Sequence, residues 1–269
     1  MSESKVTAPG LIEMKARGEK ITVLTAYDYA TARLLEKAGV DVALVGDSLA
    51  NVILGYDTTL PVTMDEMLHH TGAVARGVER ALVVADMPYL SYQISLEEAV
   101  LNAGRFLKEG GAQAVKLEGG VEMAQTIRRL VDIGIPVMGH LGMTPQSVHA
   151  FGGYRLRGKG EEAARRILDG AQALQDAGVF SIVLEMVPAS LAKRVTESVA
   201  VPTIGIGAGP GCDGQVLVVH DLLGLYDRFT PKFVKQYAQL GSAAVEAIKA
   251  YCSDVRSGAF PGPEQTYGD

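Results

Sequence analysis

Cysteine is scarce in this sequence. Cys212 and Cys252 are the two it has, too few for a disulfide framework, so a reducing compartment is the expectation. Basic charge is not in excess either: 25 lysines and arginines stand against 31 aspartates and glutamates, a net charge of −6. That balance argues against nucleic acid or an anionic membrane as partner, since both demand basic surface. No run approaches the roughly 18 apolar residues of a membrane span. Met1-Ser2-Glu3-Ser4-Lys5 lacks the apolar core of a secretion signal. These absences predict a soluble, cytoplasmic protein. No composition break or linker divides the chain, and a single domain over 1–269 is expected.

What the sequence does have is apolar residues, 48% of the total, arranged in a repeated pattern. Val42-Ala43-Leu44-Val45 runs into Gly46-Asp47-Ser48, and the same design recurs in Leu82-Val83-Val84-Ala85-Asp86, Ala114-Val115-Lys116-Leu117-Glu118 and Ile182-Val183-Leu184-Glu185. Short apolar runs bounded by turn residues read as strands covered on both faces. In α/β folds the ligand sits at the carboxyl ends of such strands. Four tips carrying carboxylates therefore predict a site.

Further runs at 21–25, 137–140, 203–206 and 216–219 bring the strands to eight. Between them lie helical stretches, with Asp28 placed as an N-cap and Thr63–Glu66 and Ser95–Glu98 as capping boxes. Other helices are expected at 11–17, 121–133, 161–177, 190–199 and 233–251, and long loops at 49–62 and 141–160. Alternating strands and helices imply a parallel sheet with right-handed crossovers. The fold class is therefore α/β, a (β/α)₈ TIM barrel with an extra N-terminal helix. One joint is short. Only residues 207–214 separate the last two strands, where a crossover usually takes about 10–12 residues; either the crossover is abbreviated to a turn of helix, which is the expectation, or 216–219 is not a barrel strand.

In a closed barrel the tips meet in one bowl, bringing together Asp47, Ser48, Asp86, Lys116, Glu118, His140 and Glu185. Converging carboxylates repel one another and take up protons unless a cation neutralises them. The all-oxygen set Asp47, Asp86 and Glu118 suits a hard divalent ion such as Mg²⁺. The plainer reading is that each acid caps the helix that follows it. Lys116 and Glu118, two apart on a strand, project to one face. There Lys116 would hold a substrate carboxylate or a developing oxyanion. Glu185 is free to act as a base. His140 is open to two roles, donor to an oxyanion or partner of a backbone carbonyl. Gly205 to Gly211 lacks the Lys-Ser/Thr ending of a phosphate loop and reads as a tight turn. Arg155, Arg157 and Lys159, among glycines at 152, 153, 158 and 160, suggest a mobile cover that attracts anions.

Several segments together resemble the ketopantoate hydroxymethyltransferase family: Thr25-Ala26-Tyr27-Asp28, Leu44 to Ser48, Thr59-Leu60-Pro61-Val62-Thr63, Val115 to Gly120, Gly139-His140-Leu141-Gly142, Thr144-Pro145-Gln146-Ser147 and Phe151-Gly152-Gly153-Tyr154. Gly205 to Gly209 and Asp213-Gly214-Gln215 extend the similarity across nearly the whole chain. The resemblance implies a phosphoenolpyruvate/pyruvate-like barrel that depends on Mg²⁺. Such an enzyme moves a hydroxymethyl group from 5,10-methylenetetrahydrofolate to 3-methyl-2-oxobutanoate in pantothenate biosynthesis. It further implies Asp47, Asp86 and Glu118 at the metal, Glu118 through water; Asp47, Ser48, Asp86 and Lys116 at the keto acid; Glu185 as proton acceptor; and a homo-oligomer, often a decamer. His140 joins the expected substrate-binding set. Two rival readings remain. A metal-dependent C–C lyase or phosphonomutase would typically show a Lys-x-Cys-Gly-His segment, and neither cysteine here lies in one. A non-catalytic barrel would bind a small anion without exchanging its protons.

Overall fold

The computed structural model describes residues 4–268, and the chain forms two compact units, Met1–Val218 and Val219–Asp269. In the first unit eight parallel strands close into a barrel in chain order. They are β1 (Ile21–Thr25), β2 (Val42–Val45), β3 (Leu82–Asp86), β4 (Ala114–Glu118), β5 (Val137–Gly142), β6 (Ser181–Glu185), β7 (Thr203–Ile206) and β8 (Gly214–Leu217). β8 pairs with β1, Ile21 opposite Gly214, and completes the ring.

The inward-facing row of each strand explains where the site lies. Successive side chains alternate between the barrel interior and the helix layer. On β3, Leu82 and Val84 precede Asp86; on β4, Ala114 precedes Lys116 and Glu118. On β5, Met138 precedes His140, and on β6, Val183 precedes Glu185. The apolar members of these rows form one buried core with Val23, Val42, Leu44, Ile204 and Val216. Each row is thus apolar inside the barrel and ionisable at its carboxyl end.

The helices follow from local capping. α1 (Ala8–Ala16) is opened by Thr7, whose hydroxyl accepts the Gly10 N–H at 3.1 Å. The first helix, expected at 11–17, begins three residues earlier and ends at Ala16. Asp28 caps α2 (Tyr29–Lys37). A single turn, α3 (Leu49–Val52), sits in the stretch expected as a loop. Thr63 and Glu66 make the full reciprocal box at α4 (Met64–Gly77). Ser95 at α5 (Leu96–Lys108) makes half of one, accepting from Glu98 N. The helix expected at 121–133 opens as a 3₁₀ turn at Val121–Met123 and continues as α6 (Ala124–Asp132). α7 (Val148–Phe151) is one turn within the basic loop, α8 (Glu161–Ala177) matches its expected bounds, and α9 (Ala189–Ser198) lies one residue early.

The short joint between β7 and β8 contains no helical turn. Its polar groups are satisfied from outside. The Asp213 carboxylate accepts the Thr203 N–H at 2.9 Å, Lys20 donates to the Cys212 carbonyl at 2.6 Å, and Gln215 donates to the Gly209 carbonyl at 3.0 Å. With those partners in place a helix is not needed to pair the backbone. The glycine-rich turn instead lies against α9, where a Cβ on Gly209 would stand 2.6 Å from that of Ala189.

The second unit contains α10 (Val219–Leu222) and α11 (Leu240–Ser257). The final helix was expected at 233–251. It starts later because the Tyr237 and Leu240 N–H groups donate to the Leu222 and Leu223 carbonyls, at 2.8 and 3.0 Å. It runs further, to a left-handed Gly258. No helix among the described residues is long and apolar enough to cross a membrane.

Candidate active site

The barrel brings the expected residues together at its carboxyl end. Asp47, Asp86, Lys116, Glu118 and His140 are each at most 7% exposed, and the Glu185 side chain is 15% exposed. Lys116 Nζ lies 2.8 Å from Asp86 Oδ1 and 3.2 Å from His140 Nδ1. His140 Nε2 lies 3.3 Å from Glu185 Oε2, and its Nδ1 is 3.6 Å from Glu118 Oε1. The Asp47 N–H donates to Asp86 Oδ2 at 3.0 Å. Gly46 allows this approach: a Cβ there would stand 2.8 Å from Ser48 Oγ and 3.5 Å from Asp86 Oδ2. Ser48 shares a hydrogen bond of 2.8 Å with the Tyr27 hydroxyl.

None of these acids is a helix cap. The N-cap residues of the helices that follow them are Ser48, Ser95, Gly120 and Pro188, and only Ser95 among these caps with its own side chain. The capping reading is therefore excluded at Asp47, Asp86, Glu118 and Glu185.

Burial without enough cation sets the protonation states. Burial and the neighbouring Asp86 charge push Asp47 up to about 7, against the pull of Lys116. Burial and the Asp47 charge hold Glu118 well above the usual carboxylate range. Glu185 is pushed up to about 7 by burial, with Lys116 opposing. Burial alone would lower Lys116, but Asp86, Glu118 and Asp47 together raise it, so it stays an ammonium. His140 is driven well below its usual value by burial and by Lys116. At neutral pH it is an uncharged imidazole. Lys116 has only protons to offer, so His140 Nδ1 accepts and the ring proton is assigned to Nε2, toward Glu185.

A cavity of about 650 Å³ opens from this cluster, with Glu118 and His140 in its wall and Tyr89, Phe151, Arg157 and Ile167 farther out. Of the three basic residues in the 141–160 loop, Arg157 alone lines it. The Arg157 guanidinium lies 3.8 Å from the Phe151 ring centre, and the Arg157 backbone N–H donates to the Met186 carbonyl at 2.8 Å. Arg155 and Lys159 are exposed. Met186, next to Glu185, holds a positive φ of 45°. On the other side Gly142 leaves no room for a side chain, since a Cβ would stand 2.2 Å from the Glu185 carbonyl.

Two residues of the site were not expected from the sequence. Gln146 and Tyr92 are buried and join Asp47 to Glu118 through hydrogen bonds. Neither is charged, and Tyr92 sits in a loop after β3 with no periodic signal. Gln146 has no periodic signal either; it lies in Thr144-Pro145-Gln146-Ser147, one of the segments that carry the family resemblance.

The family model for ketopantoate hydroxymethyltransferase matches residues 5–263. The chain belongs to the ketopantoate hydroxymethyltransferase family. The 3-methyl-2-oxobutanoate hydroxymethyltransferase of Syntrophus aciditrophicus is 60% identical over 263 residues, covering 98% of this chain and 97% of its own. That of Moorella thermoacetica is also 60% identical, over 264 residues and 98% of both chains. Among solved structures, phosphonopyruvate hydrolase in complex with oxalate and Mg²⁺ superposes with a TM-score of 0.62 at 16% identity, covering 97% of this chain and 93% of the other. 2,3-Dimethylmalate lyase, a member of the PEP mutase/isocitrate lyase superfamily, gives 0.59 at 18% identity, over 97% of this chain and 91% of that one. At such identities these two establish the shared barrel and nothing more. For a hydroxymethyltransferase of this family, the strand-tip cluster is the candidate active site.

Proposed function

We propose that this hydroxymethyltransferase takes its one-carbon unit from 5,10-methylenetetrahydrofolate and passes it to 3-methyl-2-oxobutanoate, giving 2-dehydropantoate for pantothenate biosynthesis in the cytoplasm. Mg²⁺ is the proposed cofactor. The observation that carries the reading is the Lys116–His140–Glu185 row. It sets a base with a pKa of about 7 beside a buried ammonium.

 The assembly proposed is a homo-oligomer, a decamer as in the family the sequence resembles.

The residues present fit the metal. Asp86 Oδ1 is buried and has no well-aligned hydrogen bond, although Lys116 is 2.8 Å away. Among the described residues no three of His, Cys, Asp and Glu converge on one point. Mg²⁺ is usually held by one or two carboxylates, with waters and substrate oxygens completing its shell. Asp47 and Asp86 would hold it directly, and Glu118, tied to the Gln146 N–H, would act through water. When bound, the ion supplies a Lewis acid for the keto oxygen of the substrate.

The chain's own groups do the rest. The proton on C3 of the keto acid is hard to remove because the electron pair must move onto the keto oxygen. Lys116 places a positive charge where that oxyanion develops. Glu185 takes the proton, its pKa suited to work near neutrality. His140 stays neutral and presents its Nε2 proton toward the Glu185 carboxylate. The nucleophilic carbon then bonds to the methylene of the donor as one C–N bond breaks; water displaces the second nitrogen and leaves its hydroxyl on the carbon, and the two nitrogens of the departing tetrahydrofolate take up the proton from Glu185 and the one released by the water. The cavity beside Glu118 and His140 has room for a donor far larger than the keto acid.

Purified protein with both substrates and Mg²⁺ should form 2-dehydropantoate, and omitting either substrate should abolish it. Cleavage of a 2-oxo acid without a one-carbon donor would instead support the lyase reading.

A further inference from the structure

Gln146 uses its whole amide. Nε2 donates to Asp47 Oδ2 and to the Met87 carbonyl, both at 3.0 Å. Oε1 accepts from the Tyr92 hydroxyl at 2.8 Å and from Gln93 Nε2 at 3.1 Å. Its backbone N–H donates to Glu118 Oε2 at 3.0 Å. The Tyr92 hydroxyl, having given its proton to Gln146, accepts the Glu118 N–H at 3.1 Å. An amide makes two donations and two acceptances, and here all four are met. Flipping it would set its NH₂ against the Gln93 NH₂ and its carbonyl against the Asp47 carboxylate. The orientation is therefore fixed.

The arrangement joins the tips of β2 and β4 across two loops. Gln146 holds Oδ2 of Asp47 and Oε2 of Glu118, while Glu118 Oε1 is turned toward the barrel mouth, 3.6 Å from His140 Nδ1. Two buried carboxylates that repel each other would otherwise rotate apart or bind protons. Nothing in the proposed chemistry needs Tyr92 or Gln146 to touch a substrate.

We propose that Tyr92 and Gln146 are positioning residues that clamp Asp47 and Glu118 so that the carboxylate oxygens Gln146 does not hold are oriented for a divalent ion. The proposal rests on the metal reading given above. Partners of metal ligands typically change affinity by about 10–100-fold when removed. The clamp thus acts on ion binding before any substrate is present.

The test is calorimetric titration of Mg²⁺ into metal-free protein without substrates, for wild type, Tyr92→Phe, Gln146→Ala and Gln146→Glu. Thermal unfolding of each metal-free protein is recorded alongside. Tyr92→Phe removes a single oxygen and Gln146→Glu keeps the shape, so at least one folded variant is available if Gln146→Ala fails to fold. The expected result is weaker Mg²⁺ binding by about 10-fold or more in the folded variants, with kcat largely restored at saturating Mg²⁺ in Tyr92→Phe. A change in unfolding temperature with unaltered Mg²⁺ affinity would overturn the clamp and leave a packing role. Failure of the wild type itself to bind Mg²⁺ would overturn the metal reading instead, and the clamp with it.

Discussion

His140 Nε2 stands 3.3 Å from Glu185 Oε2 while the opposite ring nitrogen faces Lys116 at 3.2 Å. An uncharged imidazole thus separates a buried ammonium from the proposed base. Were the ring cationic, it would compete with Lys116 for the same acids; neutral, it relays orientation without adding charge. The pH dependence follows. Glu185 works only when deprotonated, and burial sets its pKa at about 7 in the metal-free protein. Proton exchange from the keto acid should therefore rise tenfold per pH unit below the apparent pKa and level above it. A bound divalent cation favours the carboxylate, so the acid limb should lie below 7 when Mg²⁺ is present. A pH–rate profile at saturating Mg²⁺ checks both statements.

Binding of the ion should release protons. Asp47, at about 7, is partly protonated near pH 6.5, and burial with the Asp47 charge holds Glu118 well above the usual carboxylate range. The ion needs them ionised, so apparent affinity should increase as pH rises from 6 to 8, with protons released on binding near pH 6.5. Calorimetry in buffers of different ionisation enthalpy measures that number. A binding enthalpy independent of buffer would mean that these acids are not the ligands.

Lys116 is the one cation in the cluster's hydrogen-bonding network. Lys116→Met keeps much of the volume but leaves Asp86 without its ion-pair partner. Loss of a preorganised charge beside a developing oxyanion typically costs about 10²–10³ in kcat, and a loss of that order is expected here. Steady-state kinetics at saturating substrates would read it, and a loss smaller than fivefold would remove Lys116 from the mechanism.

At the opposite end of the barrel, Lys15 of α1 donates to the carbonyls of Thr196, Val199 and Val201 at 2.9, 2.9 and 3.0 Å and pairs with Asp213 at 3.0 Å. Lys15→Met would leave these acceptors partly unpaired. Hydrogen bonds to charged groups are worth about 1.5–3 kcal/mol, and with a side chain 16% exposed a destabilisation of about 2 kcal/mol is expected. Denaturant unfolding should show it, while kcat at 25 °C stays within about twofold.

The basic loop gives a sharper contrast. Arg157 lines the cavity and Arg155 does not. Arg157→Ala should raise the KM of the donor severalfold, and Arg155→Ala should leave it within about twofold. Equal effects of both would favour general attraction of anions by the loop over a contact in the cavity.

The strand periodicity accounts for how much of this was readable in advance. Lys116 and Glu118 share a face because they are two apart on β4, and Asp86, His140 and Glu185 lie at the ends of inward rows. Asp47 and Ser48 follow directly from the turn after β2. The closed barrel rests on the same alternation. Tyr92 and Gln146 had no such signal, because they lie on loops and meet across 54 residues of chain. The absence of a turn of helix between β7 and β8 was equally hidden. It depends on Asp213 and Lys20, whose partners Thr203 and Cys212 are fixed only once the barrel closes. The late start of α11 depends on carbonyls at Leu222 and Leu223 that local propensity does not reveal.

Removal of the C3 proton of 3-methyl-2-oxobutanoate by Glu185, in a metal-dependent step, is the proposal on which the rest depends. Proton NMR of the keto acid in D₂O follows that proton directly, with wild type and Glu185→Gln, each with Mg²⁺ and with chelator. The account predicts loss of the C3 signal with wild type and Mg²⁺, and its retention in the variant and in the chelated sample. Equal exchange in Glu185→Gln and wild type would contradict it.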